Sequence, residues 1–449
     1  MYKLFFACLF TLSILADSPV SVRGPGWIAW LSEALSKSKH SVSEDKYTQL
    51  QQYANDHEKF KAAVEQNFPV EAQILRGKNT PSAESKGKQY DEYNRTLMAM
   101  RIFFMLRNND YQILTTPQTN PSSKLTPEQC NALSDLTKQL NHQEAQAVIY
   151  DLLSNDFGKF DNIKAAVNNT RVIQLEEHDL IGTEYLQKFG NTLPGFQGLS
   201  SHPRNLILKT RQANFNLGQL LQLECPQKEV EGYKTFNARE KLVFLIEALC
   251  DIAGAQGHVN NTGSTILAKP FATSFFFAKD ALLTDDPYNK FLRKKAQIFG
   301  FVDESSEITQ KATTLTRLAA MTRRSDQTSA AEIKNAFEQL EEKTQNILIT
   351  ELSKTGVSDR AIKLEYSPAL LMNALGGKSA EALASSMRLL AKLFVLTSEK
   401  DLQKEGVLTV HINAIASSPE IKENTKQAAE KEIEIEVVNE NEMKAKFKK

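Results

Sequence analysis

Between Leu242 and Ala255 the chain is apolar except for two ionisable residues, Glu247 and Asp251. Four residues apart, they lie one above the other on a helix face, and Gly254, His258 and Asn260 carry the stripe into a Gly- and Asn-rich turn. Carboxylates in an apolar setting need a partner, a proton or a metal. The same spacing also describes the narrow solvent-facing stripe of an otherwise buried helix. A second stretch, AQAVIYDLLSNDFGKF from Ala145 to Phe160, ends an apolar helix at Asn155 and Asp156, turns at Gly158 and supplies Lys159. An acid at a helix end with a lysine close behind can hold a metal and a phosphate together; a solvated lysine is the plainer alternative.

The histidines divide by context. Leu175, His178, Gly182, Tyr185 and Phe189 recur at helical spacing and place His178 on an apolar side, either as a core imidazole or as a ligand with room beside Gly182. His202 stands before Pro203 in an expected loop, where it is either an exposed side chain or a further ligand. His40, His57, His142 and His411 have no such company and receive no role. Cys130, Cys225 and Cys250 have neither close spacing nor a basic neighbour in sequence, which disfavours a disulfide framework and thiol catalysis.

At LLSNDFGK the chain resembles the HD superfamily of metal-dependent phosphohydrolases and phosphodiesterases, whose central helix reads LLHDIGK. The resemblance covers about Tyr93 to His258. It implies an HD-like helical core and a divalent metal held by Asp156, His178, His202 and Asp251, with Lys159 or His258 offsetting charge on a phosphoryl oxygen while metal-bound water attacks. Two departures stand against it. Asn155 replaces the histidine of the His-Asp pair, and in YNRTLMAMRI Asn94 replaces the histidine that precedes an arginine. An amide binds first-row transition metals far less well than imidazole.

The elements that must position these residues are helices, since helical periodicity dominates and alternating strand patterns are scarce. The expected class is all-α, with an HD-like core at 89–300, an N-terminal module and linker at 17–88 and a C-terminal helical region at 301–416. Ala380 to Leu396 shows the clearest amphipathic face, through Leu383, Met387, Leu390 and Phe394. Residues 1–16 have the layout of a secretory signal peptide, and predict an exported protein with no membrane span after signal removal. The charged segment 417–449, including EIEIEVV, is expected to be a disordered tail, and its composition resembles the Glu-rich C-terminal signals of bacterial type IV effectors. With 54 Lys plus Arg against 54 Asp plus Glu, no basic field calls for nucleic acid. The sequence leaves two functions open: hydrolysis of a phosphorylated small molecule or modified protein by metal-activated water, or a non-catalytic secreted effector that binds a host protein on a degenerate HD-like scaffold.

Overall fold

Three short helices, α1 (Lys46–Tyr53), α2 (His57–Asn67) and α3 (Pro69–Leu75), open the part of the chain that the computed structural model describes. Described are residues 46–77, 91–172, 174–175, 177–213, 215–374, 380–423 and 425–448. The expected signal segment and most of the linker at 76–88 lie outside them. Helix α4 (Glu92–Asn108) is apolar around most of its circumference and becomes the centre of the fold. Tyr47 and Phe60 meet its Phe104 edge to face, with ring centroids 5.0 and 6.1 Å apart, so the N-terminal helices share one continuous core with α4. Asp91 caps the start of α4, and Asn109 closes its end in the left-handed conformation that an asparagine tolerates.

Helix α3 is fastened by a buried carboxyl. Glu71 Oε1 accepts from the Tyr150 hydroxyl at 3.1 Å and from the Gly195 amide at 2.7 Å. Burial raises its pKa against these donors, and because the folded value lies above the unfolded one, its contribution to stability is lost as pH rises through it. Glu71→Gln should therefore flatten this part of the pH dependence in urea unfolding, while Glu71→Ala should cost about 1–3 kcal/mol.

Helix α5 (His142–Ser154) begins with a capping box of Asn141 and Glu144, helix α6 spans His178–Phe189, and helix α7 spans Ser201–Arg211. Helix α8 (Ala238–Gly254) begins with the same box, made by Asn237 and Glu240. α8 crosses α4 at Gly254, where a Cβ would stand 2.5 Å from the Ala99 nitrogen. Gly254 thus lets two backbones touch, and does not extend a polar stripe as the spacing suggests.

The protein is mostly helical, with 24 helices and only four short strands among the described residues. Helix α9 (Ala380–Ser398) buries Leu383, Met387, Leu390 and Phe394, the face its periodicity predicts. The departure is the C-terminus. β1 (Arg360–Glu365), β2 (Gly406–His411), β3 (Ile433–Asn439) and β4 (Glu442–Phe447) form one sheet in the order β1-β2-β4-β3, with β3 and β4 antiparallel and the other pairs parallel. The segment expected to be disordered is therefore built of two short helices and a hairpin. Its charges answer one another across the strands, Glu434 opposite Lys446 and Glu436 opposite Lys444, while Ile433, Ile435, Met443 and Ala445 turn inward. Composition alone hides this pairing because the partner strand is itself charged.

Candidate functional site

Helix α5 runs at Ser154 straight into a tight 3-10 turn, Asn155–Lys159, which buries Asp156. Gly158 in this turn sets how closely α6 can approach. A Cβ there would overlap the His178 carbonyl oxygen and stand 2.8 Å from the Gly182 nitrogen, so the first turn of α6 rests on the turn backbone. Gly158 makes this approach possible; a Cβ at Gly182 would stand in ordinary contact, 3.5 Å from the Gly158 nitrogen.

Around the turn lies a chain of charges. Lys159 Nζ is 2.6 Å from Asp156 Oδ1 and 3.3 Å from Glu92 Oε2 at the start of α4. One turn along α4, Arg95 reaches Glu92 at 3.8 Å and Asp251 of α8 at 3.5 Å. The order is Asp156, Lys159, Glu92, Arg95, Asp251, carboxylate alternating with cation. Beside it Arg211, at the end of α7, pairs with Asp151 at 2.5 Å and donates to the Asp151 carbonyl at 3.1 Å and to Ser154 Oγ at 2.9 Å, holding the last turn of α5.

Burial works against the charged forms of Asp156, Lys159 and Asp251, and the partners outweigh it at the first two. For Asp156 burial pulls the pKa upward, but Lys159 and Arg95 outweigh it and hold the carboxyl well below its usual range. For Lys159 burial pulls downward, and Asp156 and Glu92 keep it protonated. For Asp251 burial wins over Arg95 and raises the carboxyl. Glu247, one turn earlier on α8, makes no hydrogen bond or ion pair among the described residues; burial, then the neighbouring Asp151 and Asp251, push it well above the carboxylate range.

The candidate ligands separate accordingly. Asp156, Lys159 and Asp251 come together, joined by Glu92 and Arg95. His178 lies at the start of α6, its Nε2 3.2 Å from Asp179 Oδ1 and its side chain 44% exposed. It is not a core histidine: the helix begins at His178, so Leu175 precedes it and the apolar spacing does not continue around one cylinder. Its field still lowers the Asp156 pKa, after those of Lys159 and Arg95. His202 is misplaced for a ligand. It stands at the start of α7, where its field acts on Glu144, while Arg211, nine residues on and roughly 13 Å along the helix, meets the site. His258 lies beyond the end of α8, in the segment whose Gly257 packs on the backbones of Asn94 and Arg95. Asn94, where the resemblance would place its first histidine, donates its side-chain amide at 2.9 Å to Oδ2 of Asp91, the residue that caps α4.

Glu92, Arg95, Asp151 and Arg211 are the residues that spacing alone does not identify. Glu92 and Arg95 are legible only as a polar pair at the head of an apolar helix, three residues apart. His411, given no role from the sequence, has company after all. On the sheet its Nδ1 meets Glu365 of β1 and its Nε2 lies 2.9 Å from Glu442 of β4. The three cysteines among the described residues, Cys130, Cys225 and Cys250, are buried and form no disulfide with one another, and burial lifts the Cys130 thiol to about 11, which suits small core residues.

No helix among the described residues is long and apolar enough to cross a membrane. No curated protein and no solved structure matches the chain. Residues 48–427 match the family model described as "Family of unknown function (DUF6829)", and the chain belongs to that family.

Proposed function

We propose that this chain is a non-catalytic, exported interaction protein on an HD-like helical scaffold, in which an internal chain of lysine, arginine and carboxylates takes the place of a metal centre. The observation that carries this reading is Lys159 Nζ at 2.6 Å from Asp156 and 3.3 Å from Glu92. The residues do not fit a resident metal ion. Asp156 and Asp251, the two carboxylates the resemblance offers to it, are each already held by a cation of the chain, Lys159 and Arg95. A divalent ion would have to displace or sit against those fixed charges, and the nearby imidazole, His178, faces Asp179. Replacing the metal with ion pairs keeps the helices in register without leaving a Lewis acid.

The competing reading, a metal-dependent phosphohydrolase or phosphodiesterase, draws on the convergence of Asp156, Lys159 and Asp251. A chromogenic phosphodiester incubated with the purified chain and Mg2+, Mn2+ or Zn2+ separates the two. The interaction protein gives the same background rate as its Asp156→Ala variant under every ion. Metal-dependent turnover that disappears in Asp156→Ala would establish the hydrolase instead.

A further inference from the structure

The C-terminal sheet meets the helical body along a seam of charged contacts. Lys363 of β1 pairs with Glu229 at 2.6 Å, Gln219 donates to Glu365 at 3.3 Å, and the Tyr366 amide donates to Glu224 at 2.6 Å. Tyr366 holds φ at +80°, a conformation that costs a bulky residue energy and persists where surrounding contacts enforce it. At the same seam Glu365 and His411, register partners at the last positions of parallel strands β1 and β2, are bridged side chain to side chain. The far nitrogen of the ring reaches Glu442, the first residue of β4. A neutral imidazole has one N–H, so it can donate to only one of the two carboxylates. Only the imidazolium satisfies both.

We propose that this seam is a pH-sensitive joint, clasped by the His411 imidazolium between Glu365 and Glu442 and loosened when that proton leaves. The groups facing the ring are Glu365 and Lys363 from β1, Glu442 and Lys444 from β4, and, by their fields on Glu365 or Lys363, His178 from α6 and Glu229 from the body. The hydrogen bond to Glu365 raises the His411 pKa more than burial lowers it. Burial lifts the Glu224 carboxyl, on the body side of the same seam, to about 7. Both groups have folded values above their unfolded ones, so both contribute stability at low pH that is lost as pH rises through those values. Glu365 works oppositely: burial would raise it, but His411 holds it low, so its contribution is present above its unfolded value and lost in acid. The joint is tightest in mild acid and loosens from about neutrality upward.

The test uses the full chain, labelled at the histidine ring carbons for NMR titration and followed in parallel by hydrogen exchange corrected for intrinsic rates. The expected result is a His411 midpoint above the ordinary histidine value of about 6.5, with amide protection in β1, β2 and β4 falling about tenfold across that midpoint while α4 and α8 keep theirs. Glu442→Gln, at a partly exposed strand end, should move the His411 midpoint down toward the ordinary histidine value. A His411 midpoint at or below the ordinary histidine value, or strand protection that does not follow it, overturns the proposal. A midpoint unmoved by Glu442→Gln does so as well.

Discussion

Gly158→Ala should destabilise the protein by about 3 kcal/mol or more, measured as the shift in urea unfolding at constant slope. The added carbon would overlap the His178 carbonyl oxygen and crowd the Gly182 nitrogen, and both are backbone atoms. Neither can swing aside as a side-chain tip would. Relief requires the first turn of α6 to lift from the 3-10 turn, which also removes the His178 field from Asp156. Gly198→Ala is the matched control. It lies in a similar short helix with open space around the added carbon, and should change stability by less than about 0.5 kcal/mol. Equal effects at the two glycines would show that α6 does not rest on the turn.

Lys159→Met carries the second large effect. It removes the cation between Asp156 and Glu92, whose side chains are 6% and 1% exposed, and leaves both carboxylates buried without it. Breaking one partner of such a group costs about 3–5 kcal/mol near neutral pH. The loss should shrink in acid. In the native protein Asp156 titrates below its unfolded value, so its contribution is present above that value and disappears as pH falls through the folded one. Without Lys159 its folded pKa climbs, the carboxyl takes up a proton sooner, and the gap between variant and native protein narrows. Lys159→Met combined with Asp156→Asn should recover part of the loss, giving a coupling energy above about 1 kcal/mol in a double-mutant cycle. Additive effects would mean that the 2.6 Å pair is not energetically linked.

Much of the helical layout is legible because helices write their burial into a short period. Leu383, Met387, Leu390 and Phe394 identify α9, and the capped starts of α5 and α8 come from asparagine with glutamate three residues on. Asp251 stands out for the same reason, as it interrupts an apolar helix, whereas Asp156 follows the end of one, and only the family resemblance places the two in one candidate site. What spacing cannot reveal is the third element. Arg95 and Glu92 lie on α4, more than 150 residues before Asp251, and only the crossing of α4 and α8 brings them together. His178 misleads because its helical spacing runs through a helix start. The sheet is hidden for a different reason. Strand pairing is non-local, and β1 is separated from β2 by α9, so neither short strand carries its partner beside it. In the hairpin the partner is adjacent, but Glu and Lys on the outer face give both strands the composition of a solvated tail.

The proposed HD-like scaffold would keep its shape without a metal through this alternating chain of charges. Lys159 and Arg95 supply the positive charge that buried carboxylates require. The measurement that bears most directly on this account is the metal content of the purified full-length chain, determined by elemental analysis after dialysis against Mn2+, Fe2+ or Zn2+. The account predicts well under one ion per chain, equal in the native protein and Asp156→Ala. One or two ions per chain that vanish in Asp156→Ala would contradict it.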